Sequence, residues 1–74
     1  MAYKEKIAVD PDIMLGKPII KGTRITVEII LRKLSEGMTI IELLEAYPHL
    51  TKEDILAALS YSADVISKEE LIAT

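Results

Sequence analysis

Three hydroxyl–acid pairs, each with its members three positions apart, constrain this chain more than any other feature. Thr39-Ile40-Ile41-Glu42, Thr51-Lys52-Glu53-Asp54 and Ser67-Lys68-Glu69-Glu70 each set a Thr or Ser ahead of a carboxylate. At that spacing the hydroxyl accepts from an unpaired amide of a first helical turn, and the carboxylate reaches back to the cap amide. Thr26 is placed to cap an earlier helix, with Ile29 standing where the reciprocal acid would be. Short helices joined by tight, chemically defined turns are the pattern of a small helix-turn-helix domain.

Between these caps the apolar residues fall at helical spacing. Helix one is predicted from about Thr26 to Glu36, with Val27, Ile30, Leu31 and Leu34 on one stripe and Gly37 at the position of a terminating glycine. Helix two starts at Thr39, carries Ile40, Leu43, Leu44 and Tyr47, and is ended by Pro48. Helix three starts at Thr51, with Ile55, Ala58, Leu59, Ser62, Ala63 and Ile66 as its buried face. The three-residue link Pro48-His49-Leu50 suits a steep crossing of helices two and three with Leu50 plugging the angle; a helical hairpin is the alternative. A short helix from Ser67 would present Leu71 and Ile72.

Ahead of the helices, Ile7-Ala8-Val9 is a β-branched run ended by the turn Asp10-Pro11-Asp12. Ile19-Ile20 and Arg24-Ile25 flank Lys21-Gly22-Thr23, which reads as two small strands around a glycine turn, with strand 7–9 pairing alongside. The predicted organisation is a single mainly-α domain over 1–74: a small β-hairpin element over 1–25, a three-helix core over 26–66 and a short C-terminal helix over 67–74. A chain this size hides only about 60% of the surface its unfolded form exposes. With no Phe, no Trp and no Cys, the core is aliphatic and unsupported by disulfides, so association with a second copy or a partner is expected. The chain begins with no apolar run long enough for a signal peptide or membrane span, and a cytoplasmic location away from the membrane is expected.

Charge is unevenly spread. Residues 1–33 carry seven bases and four acids, a net of +3, and residues 34–74 carry two bases and eight acids, a net of −6. An acidic partner would therefore meet the first half.

The residues Gly16-Lys17-Pro18-Ile19-Ile20-Lys21-Gly22-Thr23-Arg24-Ile25, Gly37-Met38-Thr39, Tyr47-Pro48-His49-Leu50-Thr51 and Ala57-Ala58-Leu59-Ser60-Tyr61 carry a resemblance over about Ile7 to Tyr61. They resemble the prokaryotic domain-of-unknown-function family four-three-three, which is treated as antitoxin-like. The resemblance implies a homeodomain-like three-helix core with an N-terminal β element, and pairing with a small toxin similar to PIN-type nucleases.

Residue chemistry points away from catalysis. His49 is the one histidine and sits in a turn, no phosphate-cradling glycine loop follows a strand, and no cofactor or metal set is evident. Asp10 and Asp12 read as turn residues, and Glu69-Glu70 as a helical first turn. No catalytic, cofactor or metal residue is assigned.

Arg24, on the rigid Lys21-Gly22-Thr23-Arg24 turn, is either a partner-binding base or a structural one bridging to Glu28 or Asp10. Ile29, Ile41, Leu56, Val65, Leu71 and Ile72 fall outside the buried stripes, and Tyr61 adds an amphipathic ring. Arg24, Tyr61, Val65, Leu71 and Ile72 are accordingly the candidate partner-binding residues, unless a compact fold wraps the apolar ones. Lys21, Arg32, Lys33 and Lys52 are the candidate nucleic-acid contacts. Lys52 is accompanied by Glu53 and Asp54 in the first turn of helix three, which repel phosphate, so DNA is expected only as a complex with a partner. The leading reading is a non-enzymatic interaction module, the antitoxin of a toxin–antitoxin pair acting as a homo-oligomer. The alternative is a helix-turn-helix DNA-binding regulator.

Overall fold

The computed structural model describes residues 3–68. In chain order it contains β1 (Ile7–Ala8), a turn over Met14–Gly16, β2 (Ile19–Ile20), α1 (Val27–Ser35), α2 (Ile40–Ala46) and α3 (Lys52–Ser67). It is a mainly helical fold of three helices with a two-stranded antiparallel sheet at the N-terminus, as predicted.

The cap chemistry sets the helix starts. The Thr26 hydroxyl accepts from the Ile29 amide at 3.0 Å, with no reciprocal acid. Thr39 and Glu42 form a complete box: the Glu42 amide donates to Thr39 Oγ1 at 3.1 Å and the Thr39 amide to Glu42 Oε1 at 2.8 Å. Thr51 and Asp54 repeat it, both bonds at 3.1 Å. At the far end of α1, Gly37 adopts φ +99°. Its amide donates to the Leu34 carbonyl at 3.0 Å and the Met38 amide to the Lys33 carbonyl at 3.1 Å. These two bonds are the paired closure in which a left-handed residue satisfies the last carbonyls and sends the chain back across the helix end. Tyr47 leaves helical geometry before Pro48 (φ −126°, ψ 84°) and ends α2.

The β element departs from the predicted hairpin in one respect. β1 pairs with β2 in the register Ile7↔Ile20 and Ala8↔Ile19, but Arg24-Ile25 forms no strand. The Gly22 turn closes through the Thr23 amide and hydroxyl, both donating to the Ile20 carbonyl, and Gly22 takes φ +82°. What remains of the second arm is a single bridge, Ile19↔Thr26, because Thr26 is already committed to capping α1. Upstream, the Asp10 turn forms as read, with the Asp12 amide donating to Asp10 Oδ1 at 2.9 Å.

One aliphatic core joins the pieces: Ile20, Val27, Ile30, Leu43, Leu50, Ile55 and Ala58 pack together, with Ile7, Leu31, Leu34, Met38 and Tyr47 partly buried around them. Leu50 fills the α2–α3 angle as predicted and is 5% exposed.

The predicted buried face of α3 holds only for its first half. Ile55, Ala57 and Ala58 are buried, whereas Leu59, Ala63 and Ile66 are exposed. The reason is length: α3 has 16 residues and α1 and α2 have nine and seven. At about 1.5 Å per residue, α3 outruns both of the helices beneath it. Asp54, predicted to face a nucleic-acid groove, is turned inward and is 8% exposed. Ser67, read as the start of a further helix, is the last residue of α3, and its hydroxyl donates back to the Asp64 carbonyl at 2.8 Å. The short helix expected beyond it lies outside the described residues, as do Glu69, Glu70, Leu71 and Ile72.

Candidate partner-binding surface

Glu28 organises the outward face of α1. It lies in the first helical turn, where a carboxylate suits the helix dipole. Lys17, arriving from the turn before Pro18, donates to Glu28 Oε1 at 2.8 Å. Arg32, one helical turn further along α1, donates from Nη2 to Oε2 at 3.2 Å. The hydrogen bond from Lys17, followed by that from Arg32, holds the Glu28 carboxyl below the usual carboxylate range. All three side chains are at least half exposed, so the ion pairs contribute little to stability.

A groove opens on each side of this triad. One, of about 490 Å³, lies between α1 and the overhanging half of α3; Pro18, Val27, Leu31, Tyr61, Val65 and Ile66 give it an apolar lining. The other, of about 440 Å³, runs toward the Gly22 turn and is lined by Met14, Arg24, Ile25, Ile29 and Tyr47. Lys17, Glu28 and Arg32 border both.

The predicted partner residues divide on this surface. Tyr61 and Val65 stand together in the apolar groove; Val65 is 44% exposed, and Tyr61 is half-buried with its ring edge-on to that of Tyr3 at 5.5 Å. Arg24 lies in the second groove, exposed, and the structural alternative for it fails. Glu28 is taken by Lys17 and Arg32, and among the described residues Arg24 forms no ion pair. Ile29 and Leu56 are half-buried, while Ile41 is 70% exposed on α2.

The four basic residues considered for nucleic acid are not brought together. Arg32 belongs to the triad, Lys33 is half-buried on α1, Lys21 lines a separate hollow with Arg24 and Asp10, and Lys52 is exposed in the first turn of α3. Lys17, Glu28, Leu31 and Ile66 were not assigned a binding role from sequence. The Glu28–Arg32 spacing of four residues was a readable signal; the approach of Lys17 was not. Among the described residues, no group of three or more His, Asp or Glu side chains could hold a metal ion. Nor is any described helix long and apolar enough to cross a membrane.

The fold and surface together define a small helical domain with an open, mixed apolar and cationic face. Residues 7–62 match the family described as "Protein of unknown function (DUF433)", and the chain belongs to that family. It is similar to "Uncharacterized protein y4eO" of Sinorhizobium fredii, with 34% identity over 61 residues that cover 82% of this chain and 28% of that protein. It is also similar to a crystal structure of a DUF433 member protein from Anabaena variabilis, with a TM-score of 0.80 and 34% identity. That match covers 84% of this chain and 61% of the other. The chain thus spans less than two thirds of the length of each.

Proposed function

We propose that this chain is a small, non-enzymatic, cytoplasmic interaction module, the antitoxin of a toxin–antitoxin pair that binds and neutralises a PIN-like nuclease. The supporting observation is the groove between α1 and the overhanging half of α3, where Val65 and Ile66 stand 44% and 58% exposed beside Tyr61. Exposed apolar surface of this kind is costly unless a partner covers it. The partner class comes from the family resemblance.

In this reading the apolar groove seats the nuclease, and Arg24, which forms no ion pair among the described residues, approaches the acidic residues of its metal site. Neutralisation is then steric and electrostatic. The module acts as a homo-oligomer, so a stable monomer in sedimentation at micromolar concentration would count against that part. The whole reading is tested by co-expressing the chain with a PIN-like nuclease and titrating one against the other, with RNA cleavage as readout. Loss of cleavage near equimolar ratio is expected, and full activity in excess of this chain would refute the reading.

The exposed Lys52, following the tight α2–α3 connection, is what favours the second reading, a helix-turn-helix DNA-binding regulator. Glu53 beside it, and the acids of the second half, weigh against DNA contact by the chain alone. That reading requires affinity that falls linearly with salt on a log–log plot. Absence of low-salt binding would remove it.

A further inference from the structure

We infer that the two grooves flanking Glu28 form one docking surface for an acidic amphipathic segment of a partner protein, whose carboxylates replace Glu28 on Lys17 and Arg32. The inference rests on the reading of this chain as an interaction module, and does not require the partner to be a nuclease.

Three observations carry it. First, the grooves adjoin: Lys17, Glu28 and Arg32 border both, so a segment lying along the face of α1 touches apolar wall and cations together. Second, the charge is unbalanced. Among the described residues lining the grooves, Lys17, Arg24 and Arg32 face the single carboxylate of Glu28, which leaves two cations uncompensated. Third, the triad is open to exchange. Lys17, Glu28 and Arg32 are 51%, 50% and 62% exposed, and solvent screening leaves ion pairs of such exposure weak.

Docking alters that balance. An apolar segment covering Leu31, Val65 and Ile66 removes water from the rim, and charge-assisted bonds strengthen as the local dielectric falls. A basic segment would desolvate the three cations without compensation and is rejected. Glu28 therefore serves as an internal placeholder: it keeps Lys17 and Arg32 ordered and partly neutralised until a partner carboxylate takes them. Charge complementarity favours an acidic partner over a second copy docked through this same face, which would bring the same cations.

The test uses the full chain and two fluorescent leucine-rich peptides of about four helical turns, one with glutamates and one with lysines along the same flank. Anisotropy is expected to show the glutamate peptide binding about ten-fold tighter than the lysine peptide. Substituting both Lys17→Ala and Arg32→Ala should weaken it about ten-fold, Val65→Asp should weaken it at least as much, and Glu28→Gln should tighten it about three-fold. A merely structural Glu28 would not produce tightening, since its loss would only loosen α1.

Equal affinities for the two peptides, no binding of either, or weaker binding by the Glu28→Gln variant would each overturn the inference. So would a Val65-dependent dimer that the glutamate peptide cannot dissociate, which would give the face to a second copy. Nuclease inhibition that persists when peptide binding fails would leave the antitoxin reading standing and remove this one. Peptide binding of the expected charge preference without nuclease inhibition would do the reverse.

Discussion

The Lys6 ammonium lies 3.8 Å from Oδ1 of Asp54, tying the segment that leads into β1 to the first turn of α3. The other carboxylate oxygen accepts the Thr51 amide, so one nearly buried side chain both caps a helix and anchors the β element. Asp54→Ala is expected to lower the unfolding free energy by about 1–2 kcal/mol, the range for a lost cap with a stranded amide. Lys6 is 42% exposed, so solvent screening should hold Lys6→Ala below about 1 kcal/mol. Asp54→Asn keeps an acceptor for Thr51 while removing the charge, and should fall between them. Urea unfolding of the three variants checks the order; a larger loss for Lys6→Ala than for Asp54→Ala would show the ion pair, rather than the cap, to dominate.

Leu43 is fully buried in α2, against a core that contains no aromatic ring. Truncating it to Ala leaves a cavity in the core, at a cost of about 2.5–4 kcal/mol. Native domains are stable by only about 5–15 kcal/mol, and one this small belongs near the low end. Thermal unfolding of Leu43→Ala should therefore begin well below that of the parent. Ile41, two residues earlier and 70% exposed, provides the internal control, and Ile41→Ala should change stability by no more than about 0.5 kcal/mol.

What could be read in advance follows the range of the forces involved. Cap boxes join residues three apart, so Thr39–Glu42 and Thr51–Asp54 were legible before any tertiary contact was known. The Gly37 closure was legible for the same reason. Ser67 carries the same signature, yet it closes α3 and its hydroxyl donates back to the Asp64 carbonyl, a bond that Ser and Thr make at helical spacing.

The partner of Glu28 was less legible. Sequence offers Arg24 as its partner, and the fold instead delivers Lys17, 11 residues away, by passing the chain through the Pro18 corner. The exposed half of α3 was invisible for a further reason. Periodicity identifies a stripe, but only the lengths of the neighbouring helices decide how much of it is covered.

Acid should weaken this fold through identifiable groups. Glu42 accepts the Thr39 amide and hydroxyl contact of its cap box, and Glu28 accepts Lys17 and then Arg32; both carboxyls are held below their ordinary range. A carboxyl depressed in the folded state contributes stability that is fully present above its unfolded pKa and is lost as pH falls through the folded one. Stability should thus be level near neutrality and decline once pH drops below the ordinary carboxylate range. Melting temperatures of the parent and of Glu42→Gln, followed downward in pH, check this. The variant should start lower and decline less; identical slopes would show that the cap box contributes nothing to the acid limb.

Tyr3 works in the opposite direction. Its hydroxyl donates to Asp64 Oδ2 at 2.8 Å, and this hydrogen bond, more than desolvation, raises the phenol above its ordinary range. The associated stability is present below the unfolded pKa and is lost as pH rises through the folded one. Ultraviolet titration should show one tyrosinate forming later than in a free tyrosine, and Tyr3→Phe should remove that late step while leaving the edge-on ring contact with Tyr61 possible. Persistence of the late step in Tyr3→Phe would assign it to another ring.

The turn before Lys17 stores strain that a single substitution should release. Met14, Leu15 and Gly16 follow one another at φ +51°, +59° and +81°, so two side-chain-bearing residues occupy the left-handed region in succession. For an L-residue that region costs roughly 1–2 kcal/mol, and asparagine and glycine bear it most easily. Leu15 gains no packing in return, since its side chain is 93% exposed. Leu15→Asn should therefore stabilise the chain by about 0.5–1 kcal/mol, an increase read directly as a higher urea midpoint at unchanged slope. Because the turn delivers Lys17 to Glu28 and Met14 to the cationic groove, the same variant should leave the Lys17–Glu28 pair intact. If Leu15 is itself an anchor for a partner, stability will rise while binding of the glutamate peptide falls. If it is not, both will hold or improve together, and the strained leucine will have no role in recognition.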